Sequence, residues 1–207
     1  EGFPPLRIRG KQLKQHKVVL KANVSSQYIS ALMLIAPSLP NGLDISLEGQ
    51  ITSAPYINMT LALLKKAGID GKFEKQRIII QPKPKLEPVV FTVESDWSSA
   101  SYFYSLVALS ETADISLSSY KSISNQGDAV VARIYEQLGV KTEYLENSIR
   151  LRKFSFKKPK SLNLNLADSP DIAQTIAVTC FGLGISCELK GLHTLKIKET
   201  DRLEALK

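Results

Sequence analysis

The chain has 207 residues, 43% apolar and 23% charged, which is a globular composition long enough to bury one large core or two small ones. No apolar run approaches the ~20 residues of a membrane-spanning helix, and no signal-peptide pattern opens the sequence. Two histidines argue against a multi-histidine metal site, and a net charge of +7 leaves two classes of partner, nucleic acid or small anions.

In chain order, residues 1–22 read as an opening loop around Pro4 and Pro5, then a basic, β-branched strand at Lys17 to Leu20. Ser25 or Ser26 can cap a helix running to about Ala36 and stopped by Pro37 and Pro40. Ile29, Leu32, Met33 and Ile35 make it apolar enough to be buried. Leu43 to Leu47 alternate as a strand, a second helix runs from about Tyr56 to Ala67 before Gly68, and Phe73 to Ile80 reads as strands. Gln81 to Pro88 carries three prolines and is loop or sheet edge. Val89 to Val93 is a further strand candidate.

Ser98-Ser99 opens the next helix, with Asp96 as a capping partner and Phe103, Leu106 and Val107 as its apolar face. Ile115 to Leu117 is a strand, and Asp128 to Leu138 is an amphipathic helix ended by Gly139. Thr142 to Leu145 and Ser148 to Leu151 form a hairpin across Glu146-Asn147. Asp168-Ser169-Pro170-Asp171 precedes an apolar helix, Ile172 to Phe181. The helix starts at Ser25, Ser98 and Ser169 are 73 and 71 residues apart, and each interval holds a helix, a strand, a helix and two strands. That is an internal repeat of one supersecondary unit. Cys180 and Cys187 lack CxxC spacing, and they read as buried thiols of a reducing compartment.

The chemistry concentrates at Thr194 to Leu206, T-L-K-I-K-E-T-D-R-L-E-A-L. A helix here stacks Lys198 and Arg202 on one face, with Glu199 one position round and Leu203 and Leu206 as inner anchors. Two cations and a carboxylate near a helix start suit an anionic ligand and an acid–base group. The same spacing also describes a solvated face with ordinary ion pairs. Ser25, Ser26 and Gln27 offer hydroxyls, an amide and free N–H groups for a phosphate, or a plain cap. Ser53 and Tyr56 flank a turn at Pro55, and Asp171 complements a helix dipole. His193 reads as a loop residue. The lysines are dispersed: Lys83 and Lys85 alternate with prolines, and Lys157, Lys158 and Lys160 surround Pro159 in exposed loop. Small phosphorylated substrates fit this pattern better than a nucleic acid.

K-E-T-D-R-L (198–203) resembles the helix-start motif of the enolpyruvyl transferases, and within them the branch acting on shikimate 3-phosphate. V-S-S-Q-Y-I-S-A-L (24–32), S-A-P-Y-I-N-M-T (53–60), E-S-D-W-S-S-A-S-Y-F (94–103), N-Q-G-D (125–128) and P-D-I-A-Q-T-I-A (170–177) agree in type and order. The resemblance implies an α/β fold, α+β in some schemes, of two similar domains each built from three βαβαββ units. Residues 1–93 would belong to the first, shikimate-phosphate-binding domain and 94–207 to the second, with a crossing near Thr92 to Ser95. It implies enolpyruvyl transfer from phosphoenolpyruvate to shikimate 3-phosphate, in aromatic amino-acid biosynthesis. Asp171, Glu199 and Lys198 would be catalytic. Ser25, Ser26, Gln27, Ser53, Tyr56, Asp171, Thr194 and Lys198 would bind shikimate 3-phosphate, and Gln27 and Arg202 phosphoenolpyruvate.

Thr194 departs from the asparagine common at that place and loses the amide donor. No metal or cofactor is implied, nor a nucleic-acid or membrane partner, and the intact enzyme would be a cytoplasmic monomer. The chain does not begin with Met and stops inside an expected helix, so both ends read as cuts. The family's amino-terminal lysine, its glycine-rich and arginine-bearing segments and its carboxy-terminal arginine and lysine have no counterpart, so no turnover is expected from this chain alone. Alternatives are a relative acting on UDP-N-acetylglucosamine, whose reactive loop cysteine neither Cys180 nor Cys187 matches, a basic nucleic-acid-binding repeat domain, and a purely structural repeat.

Overall fold

A computed structural model describes residues 4–23 and 25–207. Residues 1–3 of the expected opening loop and Val24, first in the V-S-S-Q stretch, lie outside the described residues.

The first repeat is a complete βαβαββ unit: β1 (Lys17–Lys21), α1 (Ser26–Ile35), β2 (Leu43–Glu48), α2 (Ala54–Lys66), β3 (Gly71–Glu74) and β4 (Arg77–Ile80). Its sheet has the order β1-β2-β4-β3. β1 and β2 are parallel, from Lys17↔Asp44 to Lys21↔Glu48, which needs a crossover, and α1 supplies it. The Ser25 hydroxyl accepts from Gln27 N–H at 3.3 Å and starts that helix. Ile29 and Met33, one turn apart, then pack on Ile45, Leu47, Ile57, Ile78 and Ile80.

The second repeat is α3 (Trp97–Leu109), β5 (Asp114–Ser118), a 3₁₀ turn over Gly127–Val130 running into α4 (Val131–Glu136), β6 (Val140–Tyr144) and β7 (Ser148–Lys153). Its antiparallel sheet has the order β5-β7-β6, the same as β2-β4-β3. Even the cross-strand ion pair recurs: Arg77 grips Asp44 through Nε (2.8 Å) and Nη2 (2.6 Å), and Arg150 grips Asp114 through the same atoms (2.6 and 2.6 Å). The third repeat holds β8 (Ser161–Asn165), a 3₁₀ turn over Pro170–Ile172, α5 (Ala173–Leu183) and β9 (Ser186–Lys190), with β8 parallel to β9. A 3₁₀ turn over His193–Ile197 and α6 (Arg202–Leu206) follow. A second core gathers Trp97, Tyr104, Tyr135, Leu138, Ile149, Leu151, Ile172 and Ile176.

Several expectations need correction. Val89 to Val93 is not a strand, and Val90 and Val93 are exposed. The segment enters no ladder; two residues beyond it, Ser95 N–H donates to the Ser119 carbonyl just past β5, as Ala22 N–H just past β1 does to Glu48. It is drawn instead toward α2, with the Lys66 ammonium 5.2 Å from the Phe91 ring centroid. On α3 the buried face is Trp97, Ala100, Tyr104, Val107 and Ala108, while Phe103 (40%) and Leu106 (58%) are exposed. Small Ala100 and Ala108 let the helix approach the sheet closely, which selects that face. The helix expected from Asp128 begins as a 3₁₀ turn, and Gly139 closes its end at φ +84° with the Phe156 ring filling the space of a Cβ. Cys180 is buried, but Cys187 is exposed on the short strand β9. β8 and β9 have polar alternation and were not expected at all. His193 sits in a 3₁₀ turn rather than an open loop.

Candidate functional site

Lys198 and Arg202 do not share a helix. Asp201 caps α6, accepting from Leu203 N–H and Glu204 N–H (both 3.1 Å), so the helix begins at Arg202 and leaves Lys198 extended before it. Leu203 packs on the second core, whereas Leu206 is partly exposed. Even so, the two cations converge. Lys198 Nζ lies 3.4 Å, and Arg202 Nη1 3.0 Å, from the same oxygen, Oδ1 of Asp171 in the 3₁₀ turn before α5. Arg202 also holds Glu199 Oε2 through Nε (3.1 Å) and Nη2 (2.6 Å). That hydrogen bond keeps the Glu199 carboxyl below its ordinary range. Burial works against the charge of Arg202, but Glu199 and Asp171 outweigh it and raise its pKa.

This group borders a cleft of about 340 Å³ lined by Tyr102, Asp171, Gln174, Arg202, Ala205 and Leu206. Two buried side-chain oxygens in the same region, Gln174 Oε1 and Thr194 Oγ1, have no hydrogen-bond partner among the described residues.

A second group adjoins the first. Ser53 adopts the left-handed conformation (φ 56°, ψ 34°), and its N–H donates to the Ala167 carbonyl at 2.9 Å, tying the start of α2 to the loop that leads to Asp171. Tyr56 lies one residue beyond Pro55. Gly127 packs so closely that a Cβ there would collide with the Asp168 carbonyl oxygen and press on Pro55. That contact drives the neighbouring Asp128 fully inside, where the Ser98 hydroxyl donates to its Oδ2. Oδ1 has no partner among the described residues. Burial pushes the Asp128 carboxyl up to about 6; Asp171 and Asp96 add to the rise, and Ser98 and Tyr56 oppose it. Burial, then the facing Asp128, raises the Tyr56 phenol far above its ordinary value.

Hydroxyl ladders align the helix starts. Ser30 and Thr60 bond at 2.8 Å between α1 and α2, one turn beyond Ser26 and Tyr56. Thr175 donates to Ser101 (3.0 Å) and Thr179 to Ser105 (2.7 Å) between α5 and α3. The beginnings of each pair therefore lie side by side, and the Ser53–Ala167 bond joins the pairs. Partially positive N–H ends gathered in this way favour an anion. Asp96 rather than a serine caps α3, accepting from Ser98 N–H (3.0 Å) and Ser99 N–H (3.3 Å).

Of the residues singled out in the sequence, Asp171, Lys198, Glu199 and Arg202 form one bonded cluster. Ser53 and Tyr56 adjoin it, and Thr194 is buried behind it. Ser25, Ser26 and Gln27 stand at the neighbouring helix start without a bond to the cluster. Asp128 was missed as a site residue; its signal was the N-Q-G-D stretch. No group of three or more His, Cys, Asp or Glu residues suited to a metal occurs among the described residues.

The family model for EPSP synthase (3-phosphoshikimate 1-carboxyvinyltransferase) matches residues 1–207. The chain is 50% identical to a 3-phosphoshikimate 1-carboxyvinyltransferase of Bacteroides fragilis, over all of this chain and 50% of that protein. It is 32% identical to the protein of the same name in Haemophilus influenzae, over all of this chain and 47% of the relative. The chain thus spans about half the length of the curated relatives it matches. Among solved structures, an EPSP synthase from Acinetobacter baumannii aligns with a TM-score of 0.67 at 21% identity, over 95% of this chain and 45% of that one, and shares its fold.

Proposed function

This chain belongs to the EPSP synthase family, and from that membership we propose that the protein it forms transfers the enolpyruvyl group of phosphoenolpyruvate to the 5-hydroxyl of shikimate 3-phosphate, releasing phosphate. The observation that carries the reading is the convergence of Lys198 and Arg202 on Asp171, beside Ser53 and Tyr56.

The reaction needs a proton taken from the ring hydroxyl, a proton delivered to the methylene of phosphoenolpyruvate, and cations for carboxylate and phosphate. Addition joins the ring oxygen to the phosphate-bearing carbon of phosphoenolpyruvate as its methylene takes a proton; elimination then breaks that carbon's bond to the phosphate oxygen and removes a proton from the new methyl group. Asp171 is the acceptor for the ring hydroxyl proton, and it stands within reach of Lys198 and Arg202. Lys198 binds ring oxygen. Arg202 clamps phosphoenolpyruvate, for which its planar fork is suited. An incoming carboxylate or phosphate competes for the guanidinium and releases Glu199 to share the proton transfers. Ser25, Ser26, Gln27 and Ser53 hold the phosphate of shikimate 3-phosphate, Gln27 also reaching phosphoenolpyruvate, while Tyr56 packs on or bonds the ring. Thr194 offers a buried hydroxyl, without a partner among the described residues, in place of an amide. The parent enzyme acts as a cytoplasmic monomer on this reading.

Titration with shikimate 3-phosphate in phosphate-free buffer tests this reading, with Ser26→Ala, Arg202→Ala and a short DNA duplex as comparisons. Selective binding of the phosphate ester, weakened at least tenfold in Ser26→Ala, is expected. Salt-sensitive binding to DNA with none to the ester would replace this reading with the nucleic-acid one. The purified chain with both substrates is expected to release no phosphate; measurable release would show that it carries a sufficient site by itself.

A further inference from the structure

Two of the stretches quoted from the sequence, E-S-D-W-S-S-A-S-Y-F and N-Q-G-D, supply no residue to the proposed chemistry, yet they are bonded to each other. Glu94 is the hub. Its Oε1 accepts from the Trp97 indole Nε1 (2.9 Å) and from Lys121 N–H (3.1 Å). Its Oε2 accepts from the Ser124 hydroxyl (2.7 Å) and from the Gln126 amide Nε2 (3.4 Å). Gln126 completes the network. Its Nε2 also donates to the Ser95 carbonyl (2.9 Å), and its Oε1 accepts from Trp97 N–H at the start of α3 (2.9 Å). The loop from Lys121 to Gln126 is thereby fastened at both ends to the residues that lead into the second core.

The next residue is Gly127, which packs on the Asp168 carbonyl oxygen and on Pro55. Pro55 stands between Ser53 and Tyr56 at the start of α2, and Asp168 lies in the loop that leads to Asp171. Gly127 is therefore a point where the two sides of the proposed site meet, and Gln126 is covalently joined to it.

We propose that Glu94 and Gln126 are positioning residues: by fixing the Lys121–Gln126 loop they hold Gly127 between Pro55 and Asp168, and so set the spacing of Ser53 and Tyr56 from Asp171. The ligand in this inference rests on the proposed function; the geometry does not. The indole, the backbone N–H and the amide NH₂ that point at Glu94 can only donate, so acceptors are needed on both branches of the side chain. Glutamine at 94 would keep the length and turn an NH₂ group against at least one of these donors. The loop would then be loosened with little change in volume.

Amide exchange tests this without any ligand. Ser53 N–H, bonded to the Ala167 carbonyl, is expected to be protected in the unaltered chain and to exchange about tenfold faster in Glu94→Gln, with the amides of β2 unchanged. The indole N–H signal of Trp97, the chain's one tryptophan, reports that the hub has been altered. Ile149→Ala weakens the second core without touching the network, and it should leave the Ser53 rate within about twofold of the parent. Three results would overturn the proposal: an unprotected Ser53 amide in the unaltered chain, a Ser53 rate unmoved by Glu94→Gln while the indole signal shifts, or an equal acceleration by Ile149→Ala. Should Glu94→Gln fail to fold, Gln126→Leu releases the loop from the other side, and an unmoved Ser53 rate there sinks the idea as well.

Binding of shikimate 3-phosphate supplies the functional arm. Glu94→Gln and Gln126→Leu should each weaken it about tenfold, and the double variant no further, because both act through one loop. Losses that multiply, or faster exchange with undiminished affinity, would overturn the positioning role. Faster Ser53 exchange in the variants, with no binding to the unaltered chain, leaves the hold on Gly127 standing and counts against the ligand.

Discussion

Asp128 holds its charge in a place that disfavours it, which gives the protein a pH-dependent stability with a definite sign. Its folded pKa is raised to about 6 from an ordinary value of 3.8. The unfolded chain therefore ionises first, and stability falls as pH rises from about 4 to about 6 and stays reduced above it. A rise of roughly two pKa units corresponds to at most ~3 kcal/mol. Asp128→Asn is accordingly expected to gain about 1–3 kcal/mol in urea unfolding at pH 8 and to flatten the profile between pH 4 and 6. No gain at pH 8 would mean that the folded chain stabilises the ionised carboxylate as well as water does. The site was legible in part. Lys198, Glu199 and Arg202 stand out as a charge triplet, and Asp171 as an acid after proline at a helix start. Their meeting was not legible from helical spacing, because Asp201 resets the helix and the two cations reach Asp171 from different backbone states. Asp128 is not legible as buried, because an acid beginning an amphipathic pattern reads as a surface residue, and the close packing of its neighbour Gly127 on Asp168 and Pro55 joins segments distant in sequence.

At the scale of elements, the sequence announces helices wherever a side chain caps a free N–H. Ser25 and Asp96 do so here, and Asp96 makes the stronger case, since it accepts from two backbone N–H groups and from the Ser99 hydroxyl at 2.7 Å. Asp96→Ala is expected to cost about 1 kcal/mol and lower the midpoint of thermal unfolding by about 2–4 °C, with Asp96→Asn much milder. An alanine variant as stable as the parent would show that α3 is held by its buried face alone. Strands are less self-declaring. Val89 to Val93 has the composition of a strand and the repeat position of β1, yet finds no ladder. Ser161 to Asn165 and Ser186 to Lys190 are short and polar in composition and pair all the same. Composition reports what a strand could bury, whereas pairing depends on whether a neighbouring edge is reached. Amide exchange separates the two cases: the amides of β1 that face β2 should be protected, and those of Val90 and Val93 should exchange close to the free-chain rate. Protection at Val90 comparable to β1 would mean that the segment pairs in solution.

The whole molecule carries two buried cores, one from Ala22 to Ile80 and one from Trp97 to Leu195, on either side of a proline-rich stretch. Among the described residues, two contacts that join them are the Ser53–Ala167 hydrogen bond and the packing of Gly127 against Pro55. The two buried clusters are separate, and apolar burial is what makes unfolding cooperative. Two thermal transitions are therefore expected, dividing near the 93/94 boundary that the sequence suggests. Ile45→Ala and Ile149→Ala, both at fully buried positions, should each cost about 2–5 kcal/mol and lower one transition only. On the proposed function the ligand would touch residues on both sides, Ser25, Ser53 and Tyr56 on one and Asp171 and Lys198 on the other. Binding should then raise both transitions by mass action and draw them together. A single transition, lowered equally by either substitution, would mean that the polar seam transmits unfolding as well as a shared core does. The Ser53–Ala167 hydrogen bond and the Gly127–Pro55 contact would then be the first places to look for the coupling, because each ties an element of one core to an element of the other.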